Sequence, residues 1–132
     1  MVSHAKGSFE VKLIAQTHCE GVGDPGIGRM SIEKTFHGDL AARSHGEMLA
    51  FRAETEGSAG YVALERVTGT LGGKRGAFVL QHSGLMTRGR PELTVTVVPD
   101  SGTEELTDLT GTMTIRIEGR DHFYDFEYTL PV

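Results

Sequence analysis

The chain of 132 residues contains no tryptophan, one cysteine and four prolines. A single thiol, Cys19, excludes an intramolecular disulfide, and a reducing cytoplasm is the expected compartment. No apolar run is long enough to span a bilayer, and none at the N-terminus resembles a signal peptide, so no membrane partner is expected. A basic stripe is also lacking. The formal charge is −5 and scattered, which argues against nucleic acid. The one short basic run, Gly73-Lys74-Arg75-Gly76, reads as a hairpin tip. There is no long amphipathic helix, no repeat of fixed period and no low-complexity tract.

Motifs that would carry familiar chemistry are lacking too. The six histidines (His4, His18, His37, His45, His82 and His122) form no HxH or HExxH pair. Their spacing offers no set of three or four converging ligands, so neither a metal nor a cofactor is expected. His18 beside Cys19 is a faint metal or redox signal, outweighed by an ordinary loop thiol. The stretch GVGDPGIGRM has no GKS/T ending and no following helix, which discounts a phosphate loop. HSG at residues 82–84 lacks the G-x-S-x-G pattern of a nucleophile elbow.

What is abundant is glycine, at 18 residues, set between runs rich in Val, Thr and Phe. This pattern predicts an all-β single domain over residues 1–132. Eight strands are expected, at 7–17, 28–37, 40–53, 59–71, 74–86, 92–99, 109–118 and 121–130. Gly38-Asp39, Gly72-Gly73 and Gly119-Arg120 are hairpin turns, and Gly23-Asp24-Pro25-Gly26 is a loop. TEELTDL, residues 103–109, reads as one helical turn capped by Thr103 or Ser101.

Alternation then sets the faces. A two-residue turn at Gly119-Arg120 places Ile117 opposite His122, Ile115 opposite Tyr124, Met113 opposite Phe126 and Gly111 opposite Tyr128. Thr112, Thr114, Arg116, Asp125 and Glu127 lie on the other face, with Phe123 as the exception. In the first strand Phe9, Val11 and Leu13 alternate with Ser8, Glu10 and Lys12. Eight sequential antiparallel strands leave two unpaired edges unless they close, so a closed eight-stranded barrel is expected ahead of a sandwich.

The turn at Gly72-Gly73 frames the candidate site. An even turn puts Val67 opposite Phe78, Glu65 opposite Leu80, Ala63 opposite His82 and Tyr61 opposite Gly84. His82 then shares a face with Glu65 and Tyr61, while Gln81 and Ser83 share the other with Val62, Leu64 and Arg66. An odd loop or a bulge would exchange the two sets. Glu65 and His82 are the candidate catalytic pair, because desolvation raises a carboxyl pKa toward general acid or base duty. Tyr61, Phe78, Leu80, Tyr124, Phe126 and Tyr128 are the candidate ligand-binding residues, the tyrosines as donors to a carbonyl or epoxide oxygen. A structural His–Glu pair is an equally weighted reading. His45 and Glu47, on one face with Leu49 and Phe51, are candidates for a pocket rim. The partly apolar face of Val62, Leu64 and Val79 suits an oligomer contact.

Four runs, GRMSIEKTFHGDL, GSAGYVALERVTGTLGGKRGAFVLQHSGLM, LTVTVVPDSGTEELTDLTGTM and YDFEYTLP, resemble a bacterial family of small proteins of unknown function with an allene-oxide-cyclase-like barrel. The resemblance covers nearly the whole chain. It implies a closed antiparallel eight-stranded barrel, a cavity for a small apolar or amphipathic molecule, and self-association. Plant relatives of this barrel hold a reactive substrate in a cyclising shape with help from a buried glutamate, and Glu65 is the counterpart candidate. A cyclase or isomerase, a non-catalytic carrier, and a filled structural barrel are the three functions to separate.

Overall fold

A computed structural model describes residues 2–17 and 20–131. The described residues form eight strands: β1 (Ser3–Gln16), β2 (Gly28–Gly38), β3 (Leu40–Arg52), β4 (Ala59–Leu71), β5 (Lys74–Thr87), β6 (Arg90–Val97), β7 (Thr110–Glu118) and β8 (Asp121–Thr129). Each pairs antiparallel with the next, and β1 pairs with β8 to close the barrel. His18 and Cys19, the faint metal or redox signal, lie outside the described residues.

The two hairpin registers follow the alternation. Glu65 pairs with Leu80 and Ala63 with His82, while Ile115 pairs with Tyr124 and Met113 with Phe126. The even turn is fixed by Gly72 and Gly73, whose φ angles of 55° and 85° lie in the left-handed region. Two consecutive positive φ values match the twist of the flanking strands, and glycine reaches them without steric cost.

The barrel has two unlike ends. One carries the β2–β3 and β4–β5 turns and the β6–β7 connection. A single 3-10 turn, Glu104–Leu106, plugs that end with Leu106 and Leu109, each 1% exposed. Beneath the plug, Phe36, Leu40, Val67, Leu71, Phe78, Leu80, Val97 and Phe126 pack as the core. Each such side chain contributes roughly 1.5–3 kcal/mol by burial. Thr103 occupies the cap position, but its hydroxyl makes no cap bond. Thr103 Oγ1 instead accepts the Ala77 amide and Ser101 Oγ the Val79 amide, because the connection runs beside β5 and completes its hydrogen bonding.

The other end is open. The inward rows of β1 and β7 continue past the core, so Leu13 and Ile117 are 49% and 63% exposed despite their inward parity. The wall is thinnest between β6 and β7, which pair at one position, Thr96–Thr112. Phe123, the exception to the alternation, lies on the outside beneath the Arg116 guanidinium, 4.9 Å from its ring centroid.

Candidate functional site

Below the open end the inward rows change from apolar to polar for one layer. Glu65, His82, Lys34 and Ser44 are all buried there, at 1%, 3%, 8% and 0% exposure. Each occupies an inward register position on its strand: Lys34 between Ile32 and Phe36 on β2, Ser44 on β3, Glu65 between Ala63 and Val67 on β4, and His82 between Leu80 and Gly84 on β5.

Glu65 is the centre. Its Oε2 accepts a hydrogen bond from Lys34 Nζ at 2.8 Å and lies 2.6 Å from His82 Nε2. Burial alone would push the carboxyl pKa up. The His82 hydrogen bond and the Lys34 charge outweigh burial and hold it at about 2. Glu65 is therefore an anion across the physiological range, and the sequence expectation of a raised pKa is corrected. Desolvation is present as expected, but the His82 hydrogen bond first, and then the Lys34 charge, reverse the net direction. An ionised carboxylate only accepts hydrogen bonds, so His82 Nε2 carries the proton. His82 Nδ1 then faces the Tyr61 hydroxyl at 3.4 Å. Burial, and then the Glu65 charge, push the Tyr61 pKa up, so the phenol keeps its proton.

Two glycines make the arrangement possible. Gly46 separates β2 from Glu65 and is the register partner of both Ile32 and Glu65. A Cβ there would run into Glu65 itself and the Leu64 carbonyl. Its absence lets β3 approach Glu65 closely, and the Lys34 side chain crosses β3 to reach the carboxylate. Lys34 Nζ also sits 5.0 Å and 5.8 Å from the centroids of Phe9 and Phe36, over faces that attract a cation. Gly84 pairs with Tyr61 and leaves the space its ring fills.

Above this layer lies a cavity of about 690 Å³, walled by Met30, Met48, Met86, Leu93 and Ile117, with Tyr61 at its floor. Arg52 and Glu92 stand at its rim. This volume falls within the range of small-molecule sites, about 300–1,000 Å³. Among the described residues, the buried Glu65 Oε1 and Ser44 Oγ have no hydrogen-bond partner.

The sequence candidates divide between the two halves of the barrel. Tyr61, Glu65 and His82 stand together. Phe78, Leu80 and Phe126 are at most 1% exposed within the packed half, away from the cavity wall. Phe78 stacks on Phe126 and Phe126 on Tyr128. Tyr124 commits its hydroxyl to the β2–β3 turn, donating to the His37 carbonyl and accepting the Leu40 amide, both at 2.9 Å. These five residues build the barrel's closed half. Gln81, Ser83, Glu47 and Leu49 border an outer groove, and Phe51 reaches the rim of the open end. Lys34 and Ser44 escaped the sequence reading. The signal for Lys34 was present: one lysine in the inward row Met30, Ile32, Lys34, Phe36.

Residues 5–128 match the family described as a protein of unknown function, DUF3224, and the chain belongs to that family. The chain is similar to a solved structure from Shewanella oneidensis MR-1, itself a DUF3224 protein of unknown function. The two are 48% identical, with a TM-score of 0.91, over 100% of this chain and 99% of the other. No curated protein matches.

Proposed function

We propose that this DUF3224 barrel binds a small, largely apolar or amphipathic molecule in its open end. The observation that carries the reading is the junction of two layers. An apolar cavity of about 690 Å³ ends on Tyr61, and Tyr61 leads through His82 to a buried, ionised Glu65. Hydrophobic walls supply affinity, and one polar group at the floor fixes orientation. The thin β6–β7 seam, flanked by exposed Leu93 and Ile117, is the entry.

The chain Tyr61–His82–Glu65 has the order of a proton relay: a hydroxyl, a base, and an anion that orients the base. Cyclase or isomerase chemistry, with the cavity holding a substrate in a reactive shape, is the catalytic form of this proposal. In it Tyr61 touches the substrate, while Glu65 acts through His82 as a positioning residue. The allene-oxide-cyclase-like assignment belongs to the same proposal. A carrier role without chemistry is the second reading. It is favoured by the cavity lining, since a bound molecule meets the Tyr61 hydroxyl at the floor, apolar walls, and charged groups only at the rim.

Native mass spectrometry of the purified protein, followed by solvent extraction, tests the reading. A bound organic compound released on denaturation is expected. Its conversion by wild type but not by His82→Ala identifies an enzyme, and its recovery unchanged identifies a carrier. A protein that arrives empty, and to which apolar probes at millimolar concentration do not bind, sinks the binding reading in favour of a structural barrel.

Self-association belongs to the same proposal. Leu49, Phe51, Val62, Leu64 and Leu85 are each about half exposed on the outer faces of β3, β4 and β5. Leu49 pairs with Val62, so the patch is continuous across strands. The Arg29–Glu47 ion pair beside it, at 2.7 Å, carries both signs. A patch of both signs can face its own copy about a two-fold axis without like-charge contact.

A further inference from the structure

The floor of the cavity has a direction as well as a shape. Glu65 Oε2 accepts from both Lys34 Nζ and His82 Nε2. With the imidazole carrying one proton, on Nε2 facing the carboxylate, Nδ1 is left as an acceptor. The group facing Nδ1 is the Tyr61 hydroxyl, at 3.4 Å, and on this tautomer the hydroxyl is the donor. Every proton in the chain then points toward the carboxylate, and Tyr61, which lines the cavity, keeps its oxygen lone pairs for a ligand. The Glu65 Oε1, buried in the layer below, is a further acceptor without a partner. A negative centre at the inner end of a hydrogen-bond chain orders its donors inward.

We infer that the ligand carries a hydrogen-bond donor, a hydroxyl or an N–H, and no negative charge at the end that enters the barrel first. The inference rests on reading the open end as the ligand chamber and goes beyond it by naming the chemistry the floor accepts. A carbonyl, ether or epoxide oxygen at that end would face lone pairs with no donor, unless the Tyr61 proton left His82. A carboxylate there would meet the Glu65 anion through a low-dielectric wall, with the Lys34 ammonium already engaged. The three methionine thioethers suit an aromatic body, because sulfur packs favourably against ring edges and the unbranched side chain adapts its shape.

Three probes of one size separate these cases: 2-naphthalenemethanol, 2-naphthaldehyde and 2-naphthoate, titrated by fluorescence or calorimetry into wild type and Tyr61→Phe. The alcohol is expected to bind about three- to tenfold tighter than the aldehyde, the range of one net hydrogen bond. The naphthoate should bind weakest. Tyr61→Phe should erase the alcohol's advantage, leave aldehyde affinity within about twofold, and keep the melting temperature near wild type. Aldehyde or naphthoate binding as tightly as the alcohol in wild type overturns the inference while leaving the chamber in place. An alcohol preference that survives Tyr61→Phe does the same. Failure of all three probes to bind at millimolar concentration overturns the chamber reading and this inference together.

Discussion

The Tyr61 ring lies against Gly84, its register partner across the β4–β5 hairpin, and a Cβ at position 84 would overlap the ring. Tyr124 and Tyr128 also have glycines, Gly7 and Gly111, as register partners, but a Cβ there would first meet the His37 and Glu127 carbonyls, so the ring-on-glycine contact belongs to Tyr61. A large ring covering an unsubstituted backbone position fixes where its hydroxyl points. At Tyr61 that direction is toward His82.

Gly84→Ala is therefore expected to displace the Tyr61 ring rather than only crowd it. Overpacking of this kind costs about 1–3 kcal/mol. The diagnostic readout is functional. Gly84→Ala should lower affinity for 2-naphthalenemethanol as far as Tyr61→Phe does, and the double variant should be no worse than either single one. Additive losses in the double variant would show that Gly84 does not act through Tyr61.

Lys34 and Glu65 form a buried ion pair, 7% and 0% exposed in their side chains. Removing one partner leaves a charge without compensation and costs about 3–5 kcal/mol, whereas replacing both by apolar groups is often close to neutral. Lys34→Met is expected to lose stability on that scale in urea unfolding, and Lys34→Met with Glu65→Leu to recover most of it. A Lys34→Met variant as stable as wild type would mean that the pair does not hold the charged layer together.

Acid should find the same layer. The folded-state pKa of Glu65 lies at about 2, below its ordinary 4.5. A depressed carboxyl contributes stability that is fully present above pH 4.5 and is lost as pH falls toward 2. The gap corresponds to on the order of 3 kcal/mol. Glu65→Gln should therefore show a shallower fall in stability between pH 4.5 and 2 than wild type. Equal slopes would place the acid sensitivity elsewhere, with Asp125, lowered by its hydrogen bond to His4, as the next group to test.

The fold was legible because the strands alternate and the turns are short. Glu65 and His82 were brought to one face by a single inference about Gly72-Gly73, and the register agrees. The sign of the Glu65 pKa shift was not legible. It depends on the strength of the His82 hydrogen bond and on Lys34, which reaches Glu65 across β3, and a contact over two strand spacings leaves no mark in hairpin arithmetic. The division of the barrel into a packed and an open half was hidden for a related reason. The inward rows of β1 and β7 stay apolar past the point where the core ends, so Leu13 and Ile117 read like Phe9 and Met113. Only the plugging of one end by Leu106 and Leu109 distinguishes them.

The seam between β6 and β7 predicts where the barrel opens. With Thr96–Thr112 as the one paired position, the β7-facing edge of residues 90–95 and the β6-facing edge of 113–118 lack ladder partners. Exposed backbone hydrogen bonds and sparse packing mark the low-stability end of a structure. Amides along those edges should exchange with deuterium faster than those of the β3–β4 and β4–β5 ladders, and a bound probe should slow them. Uniform protection around all eight strands, unchanged by ligand, would place the entry elsewhere.

The outer patch gives the last test. Leu64, on β4, points away from the barrel interior and is 53% exposed, so a charge there leaves the core and the Glu65 layer untouched. If two copies meet through Leu49, Val62 and Leu64, the wild type should sediment as a dimer at micromolar concentration. Leu64→Lys should then sediment as a monomer with a melting temperature at or slightly below wild type, because burying an unpaired charge in an interface costs more than the contact returns. Probe binding at the open end should persist in that variant, since Leu64 borders the outer groove and not the cavity. A wild type that is monomeric throughout would return the patch to the solvent-exposed apolar surface that a monomer tolerates.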